Sequence, residues 1–370
     1  MKFLEVLEKY QWSDIREAIY YTSRNRVISA IEKESRNLED FMALISPAAL
    51  PFLEEIAKIS NRLTKKRFGN IIQLYIPLYL SNLCTNSCIY CGFNSHVKMH
   101  RIVLNDSQIM KEIEVIRNYG FKHILLVTGE DSKNVGFDYI KHAIELVKPY
   151  FSLISIEVQP LETDQYKQLI EEGLNTVYIY QETYNRQTYP KYHPQGKKKD
   201  FYYRLNTPER LGDAGIHKIG LGCLLGLEDW RVDSFFTALH LKFLQKKYWK
   251  TKFSISFPRL RPNQGHYEPD FPMTDKELVQ LICAYRLLDE DVELSISVRE
   301  SRKFRDNIVR LGITSMSAGS RTQPGGYSND KKELEQFEVH DDRTPPEVVE
   351  MIKKQGYEPV WKDWDYYMQQ

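Results

Sequence analysis

No stretch of this 370-residue sequence reaches the roughly 20 apolar residues that a bilayer-spanning helix needs, so a helical membrane protein is not expected. Neither sign of charge dominates. The 51 Lys and Arg are matched by 50 Asp and Glu, which gives no general pull toward nucleic acid or an anionic membrane. The N-terminus, MKFLEVLEKYQWSD, carries acidic residues where a secretory leader would have a basic head and an apolar core. A cytoplasmic protein is therefore expected. Long linkers and low-complexity tracts are missing too. The run Lys197-Lys198-Lys199 is the one visible basic block and reads as a solvated loop. Cysteine is scarce: there are five, an odd number, and three of them crowd into residues 84–91. In a reducing compartment such crowding suggests metal ligation rather than disulfides.

What is present changes character near residue 70. Residues 1–69 are polar and helix-like, with a break from Ser46 to Pro51, and read as a helical extension. Beyond them, short β-branched or aromatic runs alternate with amphipathic stretches. The runs are Ile71–Tyr79, His123–Thr128, Leu153–Val158, Thr176–Tyr180, Lys218–Leu224, Lys252–Phe257, Val292–Ser297 and Thr314–Ser317. Among the helical stretches are Asp106–Asn118, Asp200–Ala214, Trp230–Lys247, Thr274–Leu288 and Glu300–Leu311. This alternation predicts an α/β fold, a parallel (β/α)8 barrel over 70–320, with a C-terminal segment over 321–370 packing on it. An open doubly wound sheet is the alternative. In a barrel, chemistry belongs on the C-terminal rim, and polar groups gather just after the predicted strands.

The first of those rim segments is Leu83-Cys84-Thr85-Asn86-Ser87-Cys88-Ile89-Tyr90-Cys91-Gly92-Phe93. Thiolates are soft ligands for iron–sulfur clusters or zinc. A [4Fe–4S] cube takes four ligands, and this C-x3-C-x2-C loop offers three, which leaves one iron open. Structural zinc with Cys223, His96 or His100 as the fourth ligand competes, although such sites usually pair two C-x2-C knuckles. Buried thiols with no ligand role are the other reading. Cys223 and Cys283 sit within apolar patterns and read as core residues.

The loop, with Tyr90 beside Cys91, resembles the signature of the radical S-adenosylmethionine (SAM) superfamily. The segments LLVTGE (125–130), EVQPL (157–161), YQETYNRQTY (180–189), SFPRLRP (256–262), TQPGGY (322–327), LEQFEVHDDR (334–343) and PVWKDWD (359–365) resemble the 2-iminoacetate synthase family. Those enzymes are the tyrosine lyases of bacterial thiamine biosynthesis. The resemblance implies a [4Fe–4S] cluster on Cys84, Cys88 and Cys91 and cleavage of SAM to a 5′-deoxyadenosyl radical. It further implies scission of the Cα–Cβ bond of L-tyrosine to 2-iminoacetate and p-cresol. Tyr90 is then expected beside the adenine, Thr128-Gly129-Glu130 facing the SAM amino group, and Glu157 on the ribose. Arg204 is expected on the SAM carboxylate, with Glu182 orienting it or the amine. Gly226, with Gly222 and Glu228, is either an adenine-side motif or a tight turn. Arg321, with Ser320, is expected to bind the substrate carboxylate, and Arg299 is the alternative. The implied partners are thiazole synthase, which would take the easily hydrolysed product, and a flavodoxin- or ferredoxin-type reductant. No cysteine follows Cys283, so the second cluster of the related hydrogenase-maturing tyrosine lyase is not expected. A lyase of tryptophan and a non-catalytic iron–sulfur redox protein are the competing functions. Trp361 and Trp364 read as packing residues of the last segment.

Overall fold

The computed structural model describes residues 2–261, 267–329 and 335–361. Pro262, Leu334 and Trp364, which belong to segments singled out above, lie outside them.

The β-branched and aromatic runs form eight strands: β1 Ile71–Ser81, β2 His123–Thr128, β3 Leu153–Glu157, β4 Leu174–Tyr178, β5 Lys218–Leu221, β6 Lys252–Ser256, β7 Glu293–Ile296 and β8 Ser315–Ser317. All pair in parallel, in chain order, and β1 bonds to both β2 and β8, which closes the barrel. Most strand residues are buried on both faces, as expected of a sheet covered by helices outside and packed side chains within. The doubly wound alternative is excluded by this closure.

Strand β1 is long because it serves three neighbours. Its second half, from Ile76, pairs with β2, and Gln73–Tyr75 pair with β8. Its first residues, Ile71–Gln73, pair with a ninth strand, β9 Glu358–Val360, which the sequence reading did not anticipate. That strand is three residues long and contains Pro359, so it carries little strand signal of its own.

Several helix boundaries follow from capping. Asn105 and Gln108 exchange side-chain-to-backbone bonds at the start of helix Asp106–Asn118, and Thr274 and Glu277 do the same for Asp275–Leu288. The stretch expected as one helix over Asp200–Ala214 is two, Phe201–Leu205 and Thr207–Ala214. Pro208 has no N–H to donate to the carbonyl of Arg204, so the helix cannot run through. The N-terminal helices share one apolar core with the barrel helices. Phe3 stacks on His240 with ring centroids 3.7 Å apart, and Gln280 donates to the carbonyls of Leu44 and Ser46, both at 2.8 Å. Trp361 packs edge-on against Phe121, in keeping with a packing role.

After β8 the chain is held by a buried charge cluster. Asp341 accepts from Arg305, which also donates to the carbonyl of Ser317, and from both Nε (2.8 Å) and Nη2 (2.6 Å) of Arg343. These arginines hold the Asp341 carboxyl below the usual carboxylate range against the effect of its burial. Replacing Asp341 with Asn removes a charge that two buried guanidinium groups share. Denaturant unfolding should show a loss of about 3–5 kcal/mol, and a loss under 1 kcal/mol would mean the cluster contributes little.

Candidate active site

The C-terminal ends of the strands open on one cavity. Its wall includes all three clustered cysteines, Tyr90, Thr128, Gly129, Glu130, Glu157, Glu182, Lys198, Arg204, Arg299 and Ser320. Eleven of the thirteen residues proposed for the cluster, SAM and the substrate are therefore brought together, with Cys84, Cys88 and Cys91 among them; Arg321 and Gly226 are not on the wall, as set out below.

The cysteine loop has little regular structure, and other segments hold it in place. Arg101 donates to four backbone carbonyls: Asn82 (2.7 Å), Phe93 (3.0 Å), Asn94 (2.6 Å) and Val97 (3.0 Å). Asn94 caps the carbonyl of Cys88 at 3.0 Å. On the other side the N–H of Thr85 reaches the carbonyl of Glu130 at 3.0 Å. Gly129 is needed here because a Cβ would strike the carbonyl of Leu83 and sit 3.0 Å from Cβ of Cys84. Tyr90 is buried, and its hydroxyl lies 2.8 Å from Nε2 of His193. Nδ1 of that ring is 2.9 Å from the carbonyl of Tyr189 and must donate to it, so Nε2 accepts from Tyr90. Burial, aided by Lys198, pushes His193 down to about 2, which keeps the ring neutral.

Beside the loop runs a chain of alternating charges. Asn86 donates to Glu130 at 2.8 Å, and Glu130 accepts from Arg204 at 3.0 Å. Arg204 also lies 3.6 Å from Glu182, whose same oxygen accepts from Lys198 at 2.6 Å. Glu182 is held at φ +71°, a left-handed conformation that a residue with a Cβ seldom adopts. Lys198 corrects the sequence reading: the side chain of the middle residue of the basic run is largely enclosed in the site, not solvated. The backbone N–H of Lys198 donates to Asn86 at 3.0 Å, so the loop that carries it is tied to the cysteine loop. Sequence could have flagged Lys198 only by pairing it with Glu182, and nothing local does that.

Two further placements differ from expectation. Arg321 is absent from the cavity wall; its backbone N–H donates to the hydroxyl of Tyr327 (3.2 Å), and its guanidinium is close enough to oppose the upward shift of that buried phenol. Arg299, the alternative, is on the wall, with its guanidinium 3.5 Å above the ring of Phe337. Its loop is anchored by Arg261, which donates to the carbonyl of Arg299 at 2.6 Å and to Glu300 at 2.7 Å. Gly226 also lies off the wall. Its φ of +118°, and the crowding that a Cβ there would meet from Leu260 and Pro269, fit the tight-turn reading.

The residues present fit a cluster and a polar cofactor. Among the described residues no three His, Cys, Asp or Glu side chains converge as one metal ion requires. A cube needs no such convergence, because each thiolate takes a different iron. Burial pushes all three thiols up, Cys84 to about 11, so thiolates here need a cationic partner such as iron. Thr128 Oγ1 and Ser320 Oγ are buried on the wall without a hydrogen-bond partner, as expected of groups that await a ligand.

Comparison with known proteins agrees with this geometry. The model of the radical SAM superfamily matches residues 78–239, and that of the Biotin and Thiamin Synthesis associated domain matches residues 256–358. The 2-iminoacetate synthase of Escherichia coli (strain K12) is 49% identical over 99% of this chain and 97% of its own. That of Salmonella typhimurium is 48% identical over the same shares. Among solved structures, HydG, described as a maturase of the [FeFe]-hydrogenase, superposes with a TM-score of 0.92 at 31% identity, covering 96% of this chain and 81% of its own. Methylornithine synthase shares the fold with a TM-score of 0.74 at 19% identity, covering 93% of this chain and 99% of its own. A closed (β/α)8 barrel with a three-cysteine loop after β1 defines a radical SAM enzyme, which uses a [4Fe–4S] cluster and SAM. Within that class the chain belongs to the 2-iminoacetate synthase family.

Glu157 offers a test of the site's electrostatics. Burial raises its carboxyl to about 7, against the pull of Arg299. A carboxyl that protonates more readily when folded adds stability at low pH, and that stability is lost as pH rises through about 7. The melting temperature of cluster-free protein should therefore fall between pH 5 and pH 8. Glu157→Gln, which mimics the protonated form, should flatten that slope; an unchanged slope would place the titration elsewhere.

Proposed function

We propose that this chain cleaves the Cα–Cβ bond of L-tyrosine to 2-iminoacetate and p-cresol for the thiazole of thiamine, with Arg299 holding the substrate carboxylate. The observation that carries the reading is one cavity in which three thiols, an alternating chain of largely enclosed charges and a separate arginine meet. Near-full-length identity of 49% to a 2-iminoacetate synthase supports tyrosine as the substrate.

Bound at Cys84, Cys88 and Cys91, the reduced cluster supplies the electron that splits SAM. The chain's own residues bind, orient and exclude water. Glu130 and Glu182 are suited to the methionyl amine and Arg204 to its carboxylate, since a guanidinium matches a carboxylate in a planar fork. Tyr90 and Glu157, on the same wall, are assigned to the nucleoside half. Thr128 and Ser320 bring hydroxyls without partners, and Arg299 brings the charge that the amino acid's carboxylate needs. Tyr79, Phe93, Leu125, Val127 and Tyr178 pack as an apolar wall against Cys84 and Cys91, which shields the radical steps from water.

The overall reaction consumes two electrons and a proton: one electron opens SAM, and a second with the proton completes p-cresol. An external reductant of flavodoxin or ferredoxin type follows from that balance. The ready hydrolysis of 2-iminoacetate favours direct transfer to thiazole synthase. A reduced cluster favours the cytoplasm, and among the described residues no helix is long and apolar enough to cross a membrane.

Reconstituted, dithionite-reduced protein given SAM and tyrosine should yield 5′-deoxyadenosine, p-cresol and glyoxylate, the hydrolysis product of 2-iminoacetate. Deoxyadenosine without p-cresol would point to another substrate such as tryptophan; no deoxyadenosine would mark a redox protein. Arg299→Ala should raise the KM for tyrosine about 10- to 100-fold, the weight of a charged hydrogen bond. Arg321→Ala should leave it near wild type, and the opposite pattern would reverse the assignment.

A further inference from the structure

Gln336 belongs to the segment after β8, far in sequence from the cysteine loop, yet its amide Nε2 lies 3.8 Å from Sγ of Cys91. The other end of the same amide is fixed: Oε1 accepts from the hydroxyl of Tyr79 at 2.8 Å. The backbone is fixed as well. The carbonyl of Gln336 accepts from the N–H of Gly92 at 3.2 Å, and its N–H donates to the carbonyl of Thr322 at 3.0 Å. A Cβ at Gly92 would collide with that carbonyl, so Gly92 permits the close approach. The amide orientation follows from chemistry. A thiolate can only accept, so the NH2 end must face sulfur, and the oxygen end is left for the tyrosine hydroxyl.

We propose that Gln336 is a positioning residue that tunes the cluster through Cys91, with Tyr79 orienting its amide. An N–H aimed at a ligand sulfur stabilises the more electron-rich, reduced cluster and so raises its reduction potential. Among the loop's thiols, Cys91 receives this side-chain N–H in the described structure, and the donor comes from the segment that also stacks Phe337 on Arg299. The proposal rests on the reading that the three thiols hold the cluster, and iron and sulfide content reports separately on that reading.

The test is a potentiometric titration of the reconstituted holoenzyme, without SAM, followed by electron paramagnetic resonance of the reduced cluster. Gln336→Met keeps the side chain's length and removes the donor. At a fixed potential and full iron content, its oxidised-to-reduced ratio should rise roughly three- to tenfold. Tyr79→Phe keeps the glutamine and frees its amide, so it should shift the ratio in the same direction by less. The double variant should match Gln336→Met alone, because Tyr79 acts only through the amide. A fully loaded Gln336→Met with the wild-type ratio overturns the proposal. Should Gln336→Met fail to load its cluster, Tyr79→Phe decides, and an unshifted ratio there overturns it equally.

Discussion

Four charged side chains at the mouth of the barrel can stay largely out of water only because each is offset by the next. Glu130, Arg204, Glu182 and Lys198 alternate in sign along one line, so no carboxylate or cation there faces apolar surroundings alone. The rest of the site hangs on that line. Asn86 ties it to the cysteine loop, the carbonyl of Tyr180 receives Nε of Arg204 at 2.6 Å, and Glu182 accepts backbone strain to reach it. Such an arrangement is unattractive on stability grounds alone, since a well-packed apolar set of similar volume is often at least as stable. Its value lies in what it presents: both signs of charge, already oriented, beside three thiols.

The barrel was legible because its strands are short β-branched runs set between amphipathic stretches, and that pattern needs no long-range information. Helix starts were legible where a cap follows local rules, as at Asn105 and Thr274. The gathering of three thiols on the cavity wall was legible for the same reason, since they sit in one short loop. What was missed depends on contacts between distant segments. Lys198 looks like any lysine in a basic run until β4 brings Glu182 to it. Arg101 looks like a surface arginine until the loop wraps it with four carbonyls. Arg321 and Arg299 both follow barrel strands, and which of them enters the cavity is decided by where Tyr327 and Phe337 sit. Strand β9 exists only because β1 extends past β2 and leaves an edge to pair.

The segment after β8 has a larger part than its weak sequence pattern suggests. Asp341 locks it to the barrel through Arg305, Phe337 supports the guanidinium of Arg299, and Gln336 reaches the thiol of Cys91. Arg299 and Cys91, the residues proposed for substrate and cluster, are thus braced by adjacent residues. A displacement of this segment by an ångström would disturb both at once, and radical chemistry tolerates little loss of near-attack geometry.

An electron relay could use the same three cysteines, but it has no use for what surrounds them. Electron transfer to a cluster requires neither partnerless hydroxyls on Thr128 and Ser320 nor a carboxyl at Glu157 lifted to about 7 by burial. Each of these is unfavourable on its own, as is the backbone of Glu182 at φ +71°. Unfavourable groups gathered on one cavity wall make physical sense when a ligand relieves them. A zwitterionic amino acid tail, a ribose and a second amino acid would together offer partners to the hydroxyls of Thr128 and Ser320 and a carboxylate to Arg299.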